Sequence, residues 1–168
     1  MMNETKKKSV YLLTQGAVIA AIYIVLTLIF QPISFGPIQF RISEALCVLP
    51  FFTPAAVPGL VIGCFLSNLL AGAMTMDVIF GSLATFIGAL GSYGLRKSKF
   101  LVLLPPILSN ALIIPWVLRY AYGSADMIPV AMVTVGLGEI LAVGVLGSIL
   151  LGALERYKHM IFKRTEAL

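Results

Sequence analysis

From Val10 to Phe30 the chain carries no charged side chain, and this run constrains the fold more than any other feature. A helix rises about 1.5 Å per residue and the hydrocarbon core of a bilayer is about 30 Å thick, so roughly 20 apolar residues make one span. Similar runs recur along all 168 residues. Only 11% are charged and 60% apolar, against about 25% and 45–50% in a soluble domain. Too little polar surface is present to coat a globule in water. The length allows about six spans with short loops and little else, so we expect residues 1–168 to form a single all-α membrane domain.

Charges and prolines divide the chain into expected spans at 10–30, 42–56, 59–74, 78–95, 100–120 and 127–157. Lys6, Lys7 and Lys8 ahead of the first span resemble a secretory signal. The apolar run is longer than the usual 7–15 residues or so and no small-x-small cleavage site follows, so a retained span is expected. The second span is short, and Pro50, Pro54 and Pro58 each remove an N–H donor, which predicts a kinked or partly re-entrant segment. With the N-terminus inside, Lys6, Lys7, Lys8, Arg96, Lys97, Lys99, Arg156, Lys158, Lys163 and Arg164 are cytoplasmic. That is ten of twelve basic residues, with Arg41 and Arg119 outside, as the positive-inside rule requires. Both termini are then cytoplasmic; five or seven spans would put a basic cluster on the wrong side.

The same rule explains the excess of 12 basic over 7 acidic residues without a nucleic-acid partner. Cys47 and Cys64 lie in apolar stretches without CxxC spacing and read as small hydrophobes. His159 is the only histidine, which leaves no Cys/His metal site. No GxxxxGK[ST] phosphate loop occurs, so ATP-driven transport would need an ATPase on another chain. The two halves show no internal repeat of the kind that builds many secondary transporters.

Small residues line three helix faces. Gly16/Ala20 and Ala17/Ala21 form a flat strip in the first span where another helix can approach closely. Gly81, Thr85, Gly88 and Ser92 do so in the fourth, and Gly144, Ser148 and Gly152 in the sixth. For the last two strips, packing within the bundle is the simpler reading.

Removing the cytoplasmic charges leaves Arg41, Glu44, Asp77, Arg119, Asp126 and Glu139, all in the outer half or near the membrane middle. A charge at that depth costs about 2.5–3.5 kcal/mol on insertion scales, so such residues normally face a partner, a cavity or a pathway. Glu139 is the deepest, with Gly136 on its face; it either accepts paired N–H donors from a ligand or bonds to a neighbouring helix. Asn110 offers both donor and acceptor, while Trp116 and Tyr120 share a face beyond Pro115, either to stack on a planar ligand or to form an interfacial aromatic belt. In FGPIQFRISE, Gly36–Pro37 marks a turn. Arg41 and Glu44 either pair with one another or belong to a loop in which Phe35, Gln39 and Phe40 close over a pocket. Asn68 and Asp77 are further candidates, Asp77 alternatively capping the fourth helix. Carboxylates, an amide and aromatics suit a planar, nitrogen-rich small molecule, cationic or neutral. No nucleophile and base pair stands out, so no catalysis is expected.

GPIQFRISEALCVLPFFTPAAVPGL and DVIFGSLAT, with GAVIAA in the first span, resemble the QueT family over most of the chain. That family comprises substrate-binding S components of energy-coupling factor (ECF) transporters, associated with uptake of queuosine precursors. The resemblance implies a six-helix membrane protein with an AxxxA strip, here Ala17 and Ala21, that docks a transmembrane coupling subunit. It also implies two partner ATPases, no cofactor of the chain's own, and a ligand held near the outer surface. For a 7-deazaguanine, Glu139 would accept the guanine-like N–H edge, Asn110 would read the carbonyl and Trp116 would stack. Glu44 or Asp77 would neutralise an aminomethyl group. An S component for another nitrogenous vitamin or base, and a scaffolding membrane protein without ligand, are the alternatives.

Overall fold

Helix α4 (Thr75–Gly94) shows how side chains are sorted in space. Asp77, Gly81, Ser82, Thr85, Gly88 and Ser92 are buried, whereas Ile79, Phe80, Leu83, Phe86, Ile87 and Leu90 are exposed. Polar and small groups inside with bulky apolar groups outside reverse the order of a soluble helix and suit a hydrocarbon solvent. The computed structural model describes residues 4–34 and 39–162. Among these, all regular structure is helical.

The chain runs through α1 (Glu4–Ile29), the single turn α2 (Gln31–Ser34) and a 3-10 helix, Ile42–Phe51. It continues through α3 (Ala56–Leu70), α4, the 3-10 turn Leu101–Leu103 and α5 (Leu104–Tyr120). Last come α6 (Ile128–Glu139), a π-helical stretch Ile140–Gly147 and α7 (Ser148–Ile161), which follow one another without a break. Among the described residues, four passages are long and apolar enough to cross a membrane: Thr5–Ile29, Thr75–Gly94, Leu101–Tyr120 and Ile128–Lys158. These helices lie over the stretches expected as spans at 10–30, 78–95, 100–120 and 127–157.

The expected spans at 42–56 and 59–74 are the shorter apolar helices Ile42–Phe51 and Ala56–Leu70. Every residue from Ser43 to Pro50 is buried, with α1, α3, α4 and the π-helical stretch packed around the segment. A helix enclosed by protein need not match the bilayer, and it tolerates Pro50 where a lipid-facing helix would leave a carbonyl unsatisfied. Pro58 falls in the first turn of α3, where the missing N–H has no partner to lose.

Glycines set the closest helix contacts. A Cβ on Gly59 would lie 2.6 Å from the Gly16 carbonyl oxygen, and one on Gly63 would lie 3.1 Å from that of Ala20. Gly16 and Ala20 therefore face α3, whereas Ala17 and Ala21, one step around the helix, are exposed. The strip on α4 is likewise internal, since a Cβ on Gly88 would lie 2.7 Å from Pro106 Cα. The strip at Gly144, Ser148 and Gly152 is not. Ser148 and Gly152 are exposed, a Cβ on Gly152 would meet nothing within 4 Å, and Gly147 makes the approach instead, with Val48 2.8 Å from its Cβ position.

At one end of the bundle Gln31 Nε2 donates to the Ala71 carbonyl (3.2 Å) and the Met74 amide donates to Tyr122 (3.2 Å). At the other, Tyr11 donates to the Ile161 carbonyl (2.7 Å), Thr53 to Gln15 (2.9 Å), and Lys99 pairs with Glu155 (2.6 Å). Lys6–Lys8, Arg96, Lys97, Arg156 and Lys158 belong to this second, basic end; Lys163 and Arg164 lie outside the described residues. Gly59→Ala must push α1 from α3 and should cost about 1–3 kcal/mol. Gly152→Ala should leave stability unchanged or slightly raised. Unfolding of the two variants in detergent checks the contrast.

Candidate functional site

Four of the six charges singled out in the sequence are buried: Arg41, Glu44, Asp77 and Glu139. The other two, Arg119 and Asp126, are exposed, and Arg119 donates to the Ser124 carbonyl (2.8 Å). Arg41 precedes the 3-10 helix and reaches Asp77 in the first turn of α4, Nη2 to Oδ2 3.3 Å. Arg41 Nη1 also donates to Asn68 Oδ1 (3.4 Å), and Asn68 Nδ2 donates to the Asp77 carbonyl (3.3 Å). Tyr122, in the α5–α6 connection, donates to Asp77 Oδ2 (3.0 Å). Burial, and then the Asp77 carboxylate, pushes the Tyr122 hydroxyl above its ordinary range. Gly81 leaves the space this cluster needs, for a Cβ there would sit 3.0 Å from Asp77 Oδ1 and 3.1 Å from Asn68 Nδ2. Asp77 thus serves the ion pair rather than an N-cap, and Arg41 turns to it rather than to Glu44.

Glu44 sits deeper, one turn along the 3-10 helix. Its two oxygens accept from Tyr23 Oη and from Cys47 Sγ, the latter at 2.9 Å. Alongside, Thr27 donates to Ser43 Oγ (2.7 Å). Glu139 ends α6 where the π-helical stretch begins, a departure from α geometry of the kind often found at functional sites. Its carboxyl lies beside Asn110 and within electrostatic reach of Glu44 and Arg41. Glu139 is 3% and Asn110 4% exposed, yet Glu139 Oε2 and Asn110 Nδ2 have no hydrogen-bond partner. A buried polar atom left unsatisfied costs about 1–3 kcal/mol, and more when charged. The Asn110 amide and the Glu139 carboxyl are near enough to interact with each other, but neither of these two atoms completes a well-formed hydrogen bond.

Other candidates fall elsewhere. Trp116 is 46% exposed and stacks on Tyr120 at 6.2 Å between ring centroids, 11° from parallel. Both line a cavity of about 400 Å3 with Met76 and Phe80 between α4 and α5. The structure does not bring Trp116 to Asn110 and Glu139. A cavity of about 680 Å3 opens between α1, the 3-10 helix and α7, lined mostly by apolar side chains such as Ile22, Leu46 and Leu150. Neither cavity is lined by Asn110 or Glu139. Phe35, Gly36 and Pro37 lie outside the described residues; Gln39 is buried in the left-handed region (φ 47°).

The model of the QueT transporter family matches residues 13–156. The chain belongs to the QueT transporter family. A family relative from Lactococcus lactis subsp. cremoris (strain MG1363), named queuosine precursor transporter QueT, is 40% identical over 84 residues, 49% of this chain. The match spans about half the length (49%) of that curated relative. No solved structure matches.

Sequence reasoning did not find Tyr23, Cys47 and Tyr122, which complete the cluster in this QueT family member. Tyr23 and Cys47 interrupt apolar runs without a charge to flag them. Removing one partner of a buried ion pair strands the other, so Asp77→Asn or Arg41→Met should each cost about 3–5 kcal/mol. The double variant should cost much less than the sum. Denaturation of all three in detergent provides the measurement.

Proposed function

We propose that this chain is the membrane-embedded substrate-binding subunit of an ECF importer in the cell membrane, taking a queuosine precursor, a 7-deazaguanine, from outside. Family membership and the relative's name support the substrate class. The observation that carries the binding role is the unused pair of Glu139 Oε2 and Asn110 Nδ2. A guanine-like edge offers adjacent N–H donors beside a carbonyl. A carboxylate accepts the first and an amide N–H donates to the second, so one ligand would satisfy both orphaned atoms.

The gathering of basic residues at one end supports a cytoplasmic location for that end, so the Arg41 end faces outside. Six passages and cytoplasmic termini follow on this reading, with the 3-10 helix and α3 as the short ones. Entry to Glu139 from outside passes the Arg41–Asp77–Asn68 cluster, and these residues hold the entrance closed. Trp116 and Tyr120, on the outer surface of α5, suit an interfacial aromatic belt. Exposed Ala17 and Ala21 leave a flat face for a coupling subunit, while Gly16 and Ala20 are occupied by α3. Two ATPases on other chains supply the energy, consistent with the missing phosphate loop.

In calorimetric titration of detergent-purified protein with 7-aminomethyl-7-deazaguanine, Glu139→Gln and Asn110→Leu should each weaken binding about tenfold or more, as loss of a charge-assisted or buried hydrogen bond implies. Unchanged affinity would remove the residue from the site. Mass spectrometry of the co-purified ligand separates a deazaguanine from another nitrogenous base. Ala17→Trp or Ala21→Trp should abolish co-purification with a coupling subunit while leaving ligand affinity intact; loss of both together would indicate misfolding instead.

A further inference from the structure

Helices α1 and α7 both pack on the 3-10 helix, and the cavity of about 680 Å3 is the groove left between them. Ala45, Leu46 and Leu49 of the 3-10 helix form its floor, and Leu146, Leu150 and Leu154 form one wall. The other wall is a stripe along α1 from Tyr11 through Val18 and Ile22 to Leu26, a rise of about 22 Å at about 1.5 Å per residue. One leaflet's share of the hydrocarbon core is about 15 Å, so the groove is long enough for an acyl chain. An empty groove would forfeit dispersion contacts along its whole lining, and in a bilayer the surrounding molecules that can fill it are lipids. At one end Tyr11 donates to the Ile161 carbonyl (2.7 Å) and ties the two walls together. There both lining faces continue into cations. Lys7 and Lys8 lie four and three residues before Tyr11, and Lys158 lies four after Leu154, spacings that keep each on the face lining the groove. All three are half-buried.

We propose that this groove binds an anionic phospholipid from the leaflet at the basic end, with one acyl chain laid along α1 and the phosphate held by Lys7, Lys8 and Lys158. Apolar walls alone accept any lipid chain. The choice of an anionic headgroup rests on the cations that both walls bring to the same mouth, the form a basic headgroup pocket between helices takes. The lining is graded in the same sense. Among the described residues its polar members, Tyr11, Thr14 and Gln15, all stand on α1 near that mouth, and no acidic side chain lines it. Headgroup and ester groups therefore meet the polar end and the chain meets the apolar one. The inference is independent of the substrate role proposed above, since it concerns the other end of the bundle and none of the same residues.

The test is native mass spectrometry of the detergent-purified full-length chain, titrated with dioleoyl phosphatidylglycerol and with dioleoyl phosphatidylcholine. Wild type should retain one phosphatidylglycerol at concentrations about tenfold or more below those needed for phosphatidylcholine. A lysine beside an anionic headgroup is worth about fivefold. The double variant Lys8→Gln, Lys158→Gln should therefore weaken phosphatidylglycerol about 20-fold and leave phosphatidylcholine unchanged. Lys97→Gln, at the same end but in the α4–α5 connection, should change neither lipid. Val18→Trp, at a wall position that is 52% exposed, fills the groove and should weaken both. Equal retention of the two lipids by wild type, or the same loss with Lys97→Gln as with the double variant, would reduce the effect to general attraction by a basic surface and overturn the proposal. A lipid-free dimer that Val18→Trp dissociates would give the groove to a second copy and overturn it as well. Should Val18→Trp not fold, the lysine variants decide alone.

Discussion

Arg41 is carried into the bundle because Asp77 meets it there. Either charge buried alone is costly, and together, with Asn68 and Tyr122 completing the hydrogen bonds, they form a unit that can be buried. The pair joins segments 36 residues apart in sequence. It fixes the start of the 3-10 helix against the first turn of α4, and Tyr122 adds the α5–α6 connection. Three connections are thereby tied at one end. With the start of the 3-10 helix held there, Glu44 and Cys47 project into the same interior that receives Glu139.

Lipid exposure made the four long helices legible. A side chain facing hydrocarbon must be apolar, so Ile79, Phe80, Leu83 and Phe86 on α4, and Leu13, Ile22 and Val25 on α1, announce their helices as uninterrupted runs. The 3-10 helix is buried from Ser43 to Pro50, so hydropathy could not separate a short buried segment from a span, and Pro50 blurred its limits further. Asn110 and Glu139 stood out because burying them is expensive. Tyr23 and Cys47 stayed hidden because each is ordinary in an apolar helix until the chain brings Glu44 beside it. Trp116 and Asn110 lie on opposite sides of Pro115, and one-dimensional spacing did not tell whether their faces converge. The packing of α5 on α4 and α6 turns Asn110 inward and Trp116 outward.

Small residues serve two different purposes on α1. Gly16 and Ala20 let α3 approach until backbone meets backbone, with Gly59 and Gly63 supplying the matching hollow. Ala17 and Ala21, about 100° further around the helix, meet no such partner within the fold. A sequence strip of four small residues is thus two strips, one consumed by the fold and one left over. Along the π-helical stretch and α7 the division is similar, since Gly147 receives Val48 while Gly152 stays open.

Enclosure of the 3-10 helix separates two properties that most membrane proteins cannot separate. The long outer helices must tilt or shift when the bilayer thickens or thins, because their exposed apolar length has to match it. Ser43 to Pro50 are buried, and the segment has no long exposed apolar face to match. Glu44 is thus carried on a segment whose length is set by the protein packed around it and not by the thickness of the bilayer.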